Sequence, residues 1–349
     1  ENTRVMLWAN LTELEFAPDS DRIQRARVKT LAGNEFSVNA KIFALCAGGI
    51  ENPRLLLASR SSRPNGIGND RDLVGRFFME HLNQDLGRLM ISDPDYDFSF
   101  YSEKRPLHGT RALGYIRLSA DSQRAARLPD FGLYFKHTYS EDVAPGVDST
   151  KLVLRSIRER GVLPDNFASH LWNIIADFDE VAEQIYRRQT NQPIEDRVYR
   201  VTTRVEQEPD PENRVTLSDE LDPLGVPRSK LDWRVSMRDL EALLSGQQLM
   251  AAELAREGVG RAKFLEFDPT PESDQEIDHL YPGCHHMGTT RMAADPQFAV
   301  VDPDCKVFGT HNLFIGGSSV FPTSGLCNPT LTIVALAARL ADHIKGELG

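Results

Sequence analysis

The chain lacks any run of about 18 consecutive apolar residues, the length a membrane-crossing helix needs, so no membrane span is expected. Cysteine is scarce: four thiols, at 46, 284, 305 and 327, with no C-x-x-C pair among 349 residues. That spacing excludes a disulfide framework and disfavours a structural zinc site, which pairs its ligands, so reduced and buried thiols are expected. A metal set of Cys284, His285, His286 and Cys327 would need adjacent side chains to share one ion, and no metal is expected there. Positive charge is in deficit. Forty Lys and Arg against 51 Asp and Glu leave a net charge of −11 and a pI near 5.4, which argues against nucleic acid or an anionic membrane as partner. The opening Glu1-Asn2-Thr3-Arg4 is neither an initiator methionine nor a signal peptide. The chain reads as cytoplasmic, with material expected upstream that leaves a secretion signal open. Nor is there a G-x-G-x-x-G phosphate loop: Gly66/Gly68 and Gly258/Gly260 have its first spacing, but Arg71 and Lys263 stand where the third glycine would be.

What is present has a repeated grammar. Short strands are expected at Val5–Leu11, Arg25–Leu31 and Glu35–Ala40, the last two around a turn at Ala32-Gly33-Asn34. Lys41–Ala47 is an apolar run that stops at Gly48-Gly49, and Asn52-Pro53 predicts a helix from Pro53, with Asn as N-cap and Pro in the first turn. Near the other end, Leu313-Phe314-Ile315 runs into Gly316-Gly317, and Asn328-Pro329 opens an apolar helix through Ile333, Leu336, Leu340 and Ile344. Strand, glycine pair and capped helix suit the edge of a dinucleotide-binding α/β domain, where glycine lets backbone approach a phosphate.

The middle differs. Gly114–Leu118, Phe131–His137 and Val198–Val205 alternate as half-exposed antiparallel strands do, and helical spacing is expected over 176–189 and 237–256. The expected architecture is therefore α/β: residues 1–82 and 273–349 form parts of one three-layer cofactor domain without its fingerprint strand. A mainly antiparallel sheet with flanking helices, 83–272, is inserted between them.

Several blocks resemble the glucose–methanol–choline (GMC) oxidoreductases. They are Cys46–Leu56, Val74-Gly75-Arg76-Phe77-Phe78-Met79-Glu80-His81, Glu206-Gln207-Glu208-Pro209 with Asn213-Arg214-Val215, His285–Met292, and Val301-Asp302-Pro303 through Gly316-Gly317-Ser318-Ser319 to Asn328-Pro329-Thr330. Asn before Pro at the second site position places the chain nearer the sugar dehydrogenase and pyranose oxidase branch. The resemblance implies FAD as cofactor and a sugar, polyol or other alcohol as small-molecule substrate, with the electron acceptor undetermined. The absent fingerprint implies the C-terminal two-thirds of a longer protein.

The resemblance makes His285 the base that takes the hydroxyl proton, since a histidine titrates near working pH. Its rival is His286, on the opposite side of the backbone. Asn328 would position the substrate, against the plainer reading of an N-cap. Ala47, Gly48, Gly49, Gly316, Gly317, Ser318, Asn328, Pro329 and Thr330 would contact the cofactor, with first-turn amides of Thr330 and Leu331 facing the flavin. Glu80-His81 reads as structural, the acidic run Glu206–Asp210 as a solvated face, Asp302-Pro303 as a turn, Arg291 as a brace or carboxylate partner, and Trp8 and Trp233 as core or rim. Two other classes remain open: a lyase on the same fold, and a non-catalytic fragment.

Overall fold

The computed structural model of the protein describes residues 3–93, 95–137, 145–178, 181–182, 185–186, 198–264 and 280–349. Three antiparallel strands come first, β1 (Asn10–Phe16), β2 (Ile23–Lys29) and β3 (Glu35–Asn39), in that spatial order. Thr12, Leu14 and Phe16 alternate into the core, as a strand's period of two requires. Gly33 sits at φ +84°, and its N–H donates to the Thr30 carbonyl at 3.0 Å to close the turn between β2 and β3. The first strand starts later than the apolar run at Val5 suggests: residues 5–9 belong to no strand, and Trp8 is 84% exposed, neither core nor rim.

β4 (Phe43–Leu45) pairs in parallel with β15 (Leu313–Ile315), joining the two ends of the chain. Asn312, buried just before β15, holds this pair to the antiparallel sheet. Its Oδ1 accepts from Ile23 N–H at 2.8 Å, and its Nδ2 donates to the carbonyls of Ile23 and Lys41 at 3.0 and 2.9 Å.

The helix after β4 runs Gly48–Ala58 and therefore begins at the glycine pair, not at Pro53. Pro53 lies inside it and cannot donate to the carbonyl four residues back. That carbonyl, Gly49, instead accepts the Thr289 hydroxyl at 2.6 Å, so the proline frees an acceptor that receives a distant segment.

β5 (His81–Ile91) is the long central strand of a larger antiparallel sheet. The hairpin β6 (Arg105–Leu107) and β7 (Thr110–Ala112) stands apart from it. β8 (Ile116–Arg117), β9 (Phe131–His137) and β10 (Val198–Glu206) continue the sheet on one side of β5. A separate hairpin, β11 (Arg214–Leu221) with β12 (Pro227–Asp232), packs on the Gly48–Ala58 helix. β13 (Gly260–Lys263) and β14 (Leu280–Pro282) pair with the two halves of β5, at Arg88–Ile91 and Leu82–Gln84.

The helix Met237–Arg256 matches the expected span; a Ser236–Asp239 capping box starts it, and Ala242, Leu243, Met250 and Leu254 are buried against the sheet. Of the expected 176–189 helix, residues 178, 181–182 and 185–186 are helical and 179–180, 183–184 and 187–189 lie outside the described residues; Phe167–Ala176 is a helix of its own.

Among the described residues two large buried apolar clusters result, besides a small contact of Val147 with Val181. One gathers Leu14, Ile23, Leu56, Met79, Met287 and Phe314; the other gathers Leu82, Leu89, Phe131, Phe135, Val201 and Leu243. Each such side chain contributes roughly 1.5–3 kcal/mol when fully buried, so either cluster is a substantial source of cohesion. The C-terminal helix Thr330–Leu348 buries only Leu340, and Leu331 and Val334 are 81% and 60% exposed. Among the described residues no helix is long and apolar enough to cross a membrane.

Candidate active site

His285 is positioned by two seams of backbone. β14 pairs with β5 as far as Pro282 opposite Leu82, and Gly283 N–H then donates to the His81 carbonyl at 2.9 Å. Beyond the histidines, Met79 and Met287 exchange N–H···O bonds of 3.0 and 3.1 Å. Between these seams the chain bends through Cys284 at φ +56°, an uncommon conformation for a residue with a Cβ. Gly288 must be glycine: its φ is +87°, and a Cβ would stand 2.2 Å from the Phe77 carbonyl. Thr290 and Met292 N–H then donate to Ser319 and Val320 at 2.8 and 2.9 Å, laying this segment along the second glycine loop.

Glu80 is the hub. Its Oε2 accepts the backbone N–H of His285 at 2.9 Å and of His81 at 3.2 Å, and its Oε1 lies 3.3 Å from His286 Nε2. Burial pushes its pKa up from the ordinary carboxylate value, against these bonds and the nearby imidazole. The His81 and His285 rings meet edge to face, centroids 4.9 Å apart at 76°, with Nδ1 to Nδ1 at 2.9 Å. His81 Nε2 lies 3.3 Å from the Ser324 carbonyl. Burial drives the His81 pKa down from 6.5 to about 4, helped by the Arg204 charge. His285 is lowered too, first by burial and then by Arg204 and His286. His286 turns elsewhere, toward Glu80 and the Phe78 ring at 5.5 Å.

Asn328 does not cap the C-terminal helix, which starts at Thr330 after Pro329 with no side-chain cap. Its Oδ1 instead accepts from Arg204 Nη1 at 2.7 Å. Arg204 also donates from Nε to Asn83 Oδ1 at 2.8 Å and lies over the Tyr134 ring at 4.7 Å. Arg204 on β10 and Asn83 on β5 are register partners, so the Asn328 anchor and His81 stand on adjoining strands. Among the described residues no ion-pair partner of Arg204 is recorded.

Residues 206–208 are not a simple solvated face. Glu206 Oε1 accepts Gly325 N–H at 2.7 Å and Oε2 accepts Asp130 N–H at 3.0 Å, anchoring the loop before Asn328. Gln207 is fully buried; its Oε1 accepts Glu80 N–H at 3.1 Å and the Trp233 indole N–H at 2.8 Å. Asp302-Pro303 is the expected turn, with Asp302 Oδ1 accepting from Asp304 and Lys306 N–H. Arg291 braces its loop, stacked over Phe77 at 4.4 Å.

The four cysteines are free, as expected, but only Cys305 is buried. Arg204, Asn83, Gln207 and Ser324 escaped the sequence reading. The signals near them were the Glu206–Pro209 block, which contains Gln207, and the Glu80-His81 block, read as structural, whose side chains contact His285.

The two glycine turns are clamped together by Asn52, which is completely buried. Its Oδ1 accepts Ala47 N–H at 2.9 Å, while Nδ2 donates to the Gly316 carbonyl at 3.2 Å and Ser319 Oγ at 2.9 Å. Asn52 is therefore a brace inside the helix, not its cap. Gly49 packs under His286, whose carbonyl oxygen would be 2.5 Å from a Cβ, and Gly316 packs under Cys46 Sγ at 2.8 Å. Ser318 Oγ donates to the His286 carbonyl at 2.7 Å.

Gly48 and Gly317 are different. They take φ of +88° and +110°, and nothing lies within 4 Å of where a Cβ would be. Two open, left-handed glycines at the ends of parallel strands form a cradle that fits a dinucleotide. The exposed start of the C-terminal helix, Thr330 and Leu331, adds first-turn amides without intrahelical partners. No three His, Cys, Asp or Glu side chains among the described residues are arranged to hold a metal ion.

Residues 209–337 match the family model for GMC oxidoreductase. The chain is 30% identical over 328 residues to the fructose dehydrogenase large subunit of Gluconobacter japonicus, covering 89% of this chain and 48% of that protein. It is 27% identical over 335 residues to the 2-methyl-1,2-propanediol dehydrogenase of Mycolicibacterium austroafricanum, covering 91% and 50%. The chain thus spans about half the length of these curated relatives. Its mixed α/β fold is similar to the crystal structure of pyridoxine 4-oxidase from Mesorbium loti, with a TM-score of 0.54 and 21% identity over 96% of this chain and 57% of that one.

Proposed function

We propose that this chain, a member of the GMC oxidoreductase family, is the part of an FAD-dependent enzyme that binds a sugar, polyol or related alcohol and takes its hydroxyl proton. The observation that carries this reading is that Arg204 both fixes the polarity of the Asn328 amide and helps hold nearby His285 toward its neutral form. Because burial lowers its pKa, His285 is unprotonated at neutral pH and ready to accept a proton. Arginine can only donate, so Asn328 Oδ1 must face Arg204, which leaves the Nδ2 hydrogens for a substrate oxygen. Asn328 thereby orients the hydroxyl and His285 removes its proton as the C–H bond breaks and the carbonyl forms.

FAD, when bound, supplies the acceptor for the hydride that leaves carbon. Gly48 and Gly317 would admit its backbone-contacting portion, and the first-turn amides of Thr330 and Leu331 would favour negative charge nearby. Ala47, Gly49, Gly316 and Ser318 would shape that cradle through the packing and hydrogen bonds described above.

We assign residues 1–82 and 273–349 to the cofactor unit and 83–272 to the substrate unit, a division supported by the two main apolar clusters, although Leu82 and Leu280 join the sheet cluster and the β11–β12 hairpin packs on the cofactor unit. The uncovered apolar flank at Leu331 and Val334 supports docking of an upstream segment carrying the phosphate-binding strand.

The test is anaerobic addition of sugars, polyols and aromatic alcohols to the full-length, flavin-loaded protein. Bleaching of the flavin absorbance together with carbonyl product is expected. Carbonyl product without bleaching would indicate a lyase, and neither response with any alcohol would remove the proposal.

A further inference from the structure

A carbonyl oxygen only accepts hydrogen bonds, so the Ser324 carbonyl, 3.3 Å from His81 Nε2, requires a proton on that nitrogen. In a neutral His81 the other nitrogen, Nδ1, is then a bare acceptor. It lies 2.9 Å from His285 Nδ1, and two nitrogens that close need one proton between them. That proton belongs to His285. The lone pair of His285 is therefore on Nε2.

We infer that His81 is a positioning residue that selects the Nδ1–H tautomer of His285 and so makes Nε2 the proton-accepting atom. The inference rests on the role proposed for His285, and it deepens that role by naming the atom. Glu80 supports the arrangement by holding the backbone N–H of both histidines on one carboxylate oxygen, which keeps their backbones together where the two rings meet edge to face. The low pKa of His81 is consistent with a neutral ring in this chain of bonds. Were His81 charged, both its nitrogens would donate. His285 Nδ1 would then have to accept, and the proton would move to Nε2, the atom needed bare. Burying His81 thus protects the polarity of its neighbour.

The experiment is long-range proton–nitrogen NMR of the full-length, flavin-loaded protein labelled with ¹⁵N-histidine, with the His285 signals assigned by their loss in His285→Gln. At neutral pH the wild-type spectrum should show His285 protonated at Nδ1. In His81→Asn the amide Oδ1 replaces the accepting nitrogen, and the same tautomer should persist. In His81→Leu nothing accepts from Nδ1, and His285 should shift toward the Nε2–H form. Substrate-dependent flavin reduction should slow about 10- to 100-fold in His81→Leu, the range for losing an orienting partner, and recover most of that loss in His81→Asn.

A wild-type His285 protonated at Nε2 overturns the inference, as does an unchanged tautomer in His81→Leu. If His81→Leu does not fold, the wild-type and His81→Asn spectra decide alone. Failure of the functional reading is separable, since a correct tautomer with no alcohol-dependent bleaching removes the oxidation and leaves the hydrogen-bond chain standing.

Discussion

Asn52 is the most informative single residue to perturb for the link between fold and cofactor cradle. Leucine has the same branched arrangement of heavy atoms, greater bulk and no polar atoms, so Asn52→Leu removes three hydrogen bonds without opening a cavity. The exposed Ala47 can recover water for its N–H. The Gly316 carbonyl and Ser319 Oγ are buried and lose their Asn52 partner. A buried polar group left without a partner costs about 1–3 kcal/mol, so the two together predict a loss of about 2–6 kcal/mol. The same change releases the clamp between the Gly48 and Gly317 turns, and flavin should bind more weakly in proportion. Urea unfolding of the full-length protein, read as a midpoint shift at constant slope, measures the first effect; flavin titration of the apoprotein measures the second. A loss below about 1 kcal/mol with unchanged flavin affinity would refute the clamp.

Three further outcomes are expected. Gly49→Ala places a Cβ 2.5 Å from the His286 carbonyl, so the backbone must shift; a cost of about 1–3 kcal/mol should appear as a lowered melting temperature, and an unchanged one would contradict the packing described. Arg204→Ala frees the Asn328 amide to rotate, so flavin reduction per bound flavin should fall while flavin affinity holds; an unaltered reduction rate would mean that the anchor does not matter. Acid should destabilise the protein through His81. Its native pKa of about 4 lies below the ordinary 6.5, so the unfolded chain binds the proton first. The stabilisation is complete above pH 6.5 and is lost as pH falls toward 4, by ~3 kcal/mol. Glu80, raised by burial, acts in the opposite sense as it protonates, so the comparison is with His81→Asn, whose acid loss should be smaller; an equal loss would exclude His81 as its source.

Local periodicity revealed some elements and missed others for identifiable reasons. The alternating strands and the Met237–Arg256 helix were legible because their apolar spacing records which face is buried. Asn52-Pro53 was misread because the same dipeptide suits a helix start. Here the side chain of Asn52 is used across the fold, and the carbonyl freed by Pro53 finds Thr289. Trp8 was expected in the core or at its rim on apolar character alone, which does not record what covers a side chain. The His285 and Asn328 motifs were visible as residues, but their orienting partners were not. Arg204 reaches Asn328 and His81 reaches His285 across strands, and Gln207 acts one step back through Glu80, by pairing that no local spacing encodes. Gln207 sat in what looked like a charged surface run because one buried amide between carboxylates leaves no periodic trace.

The central claim is that His285 takes the substrate proton. The most direct test is rapid-mixing measurement of anaerobic flavin reduction in His285→Ala, normalised to bound flavin, with an alcohol that bleaches the wild-type protein. A general base contributes about 10²- to 10⁴-fold, so the account predicts a loss of that size with flavin still bound. In the wild-type protein the acid-side decline in rate should lie at lower pH than an ordinary imidazole would give, because the pKa of His285 is lowered. A His285→Ala protein that reduces its flavin within a few-fold of the wild-type rate would contradict the account.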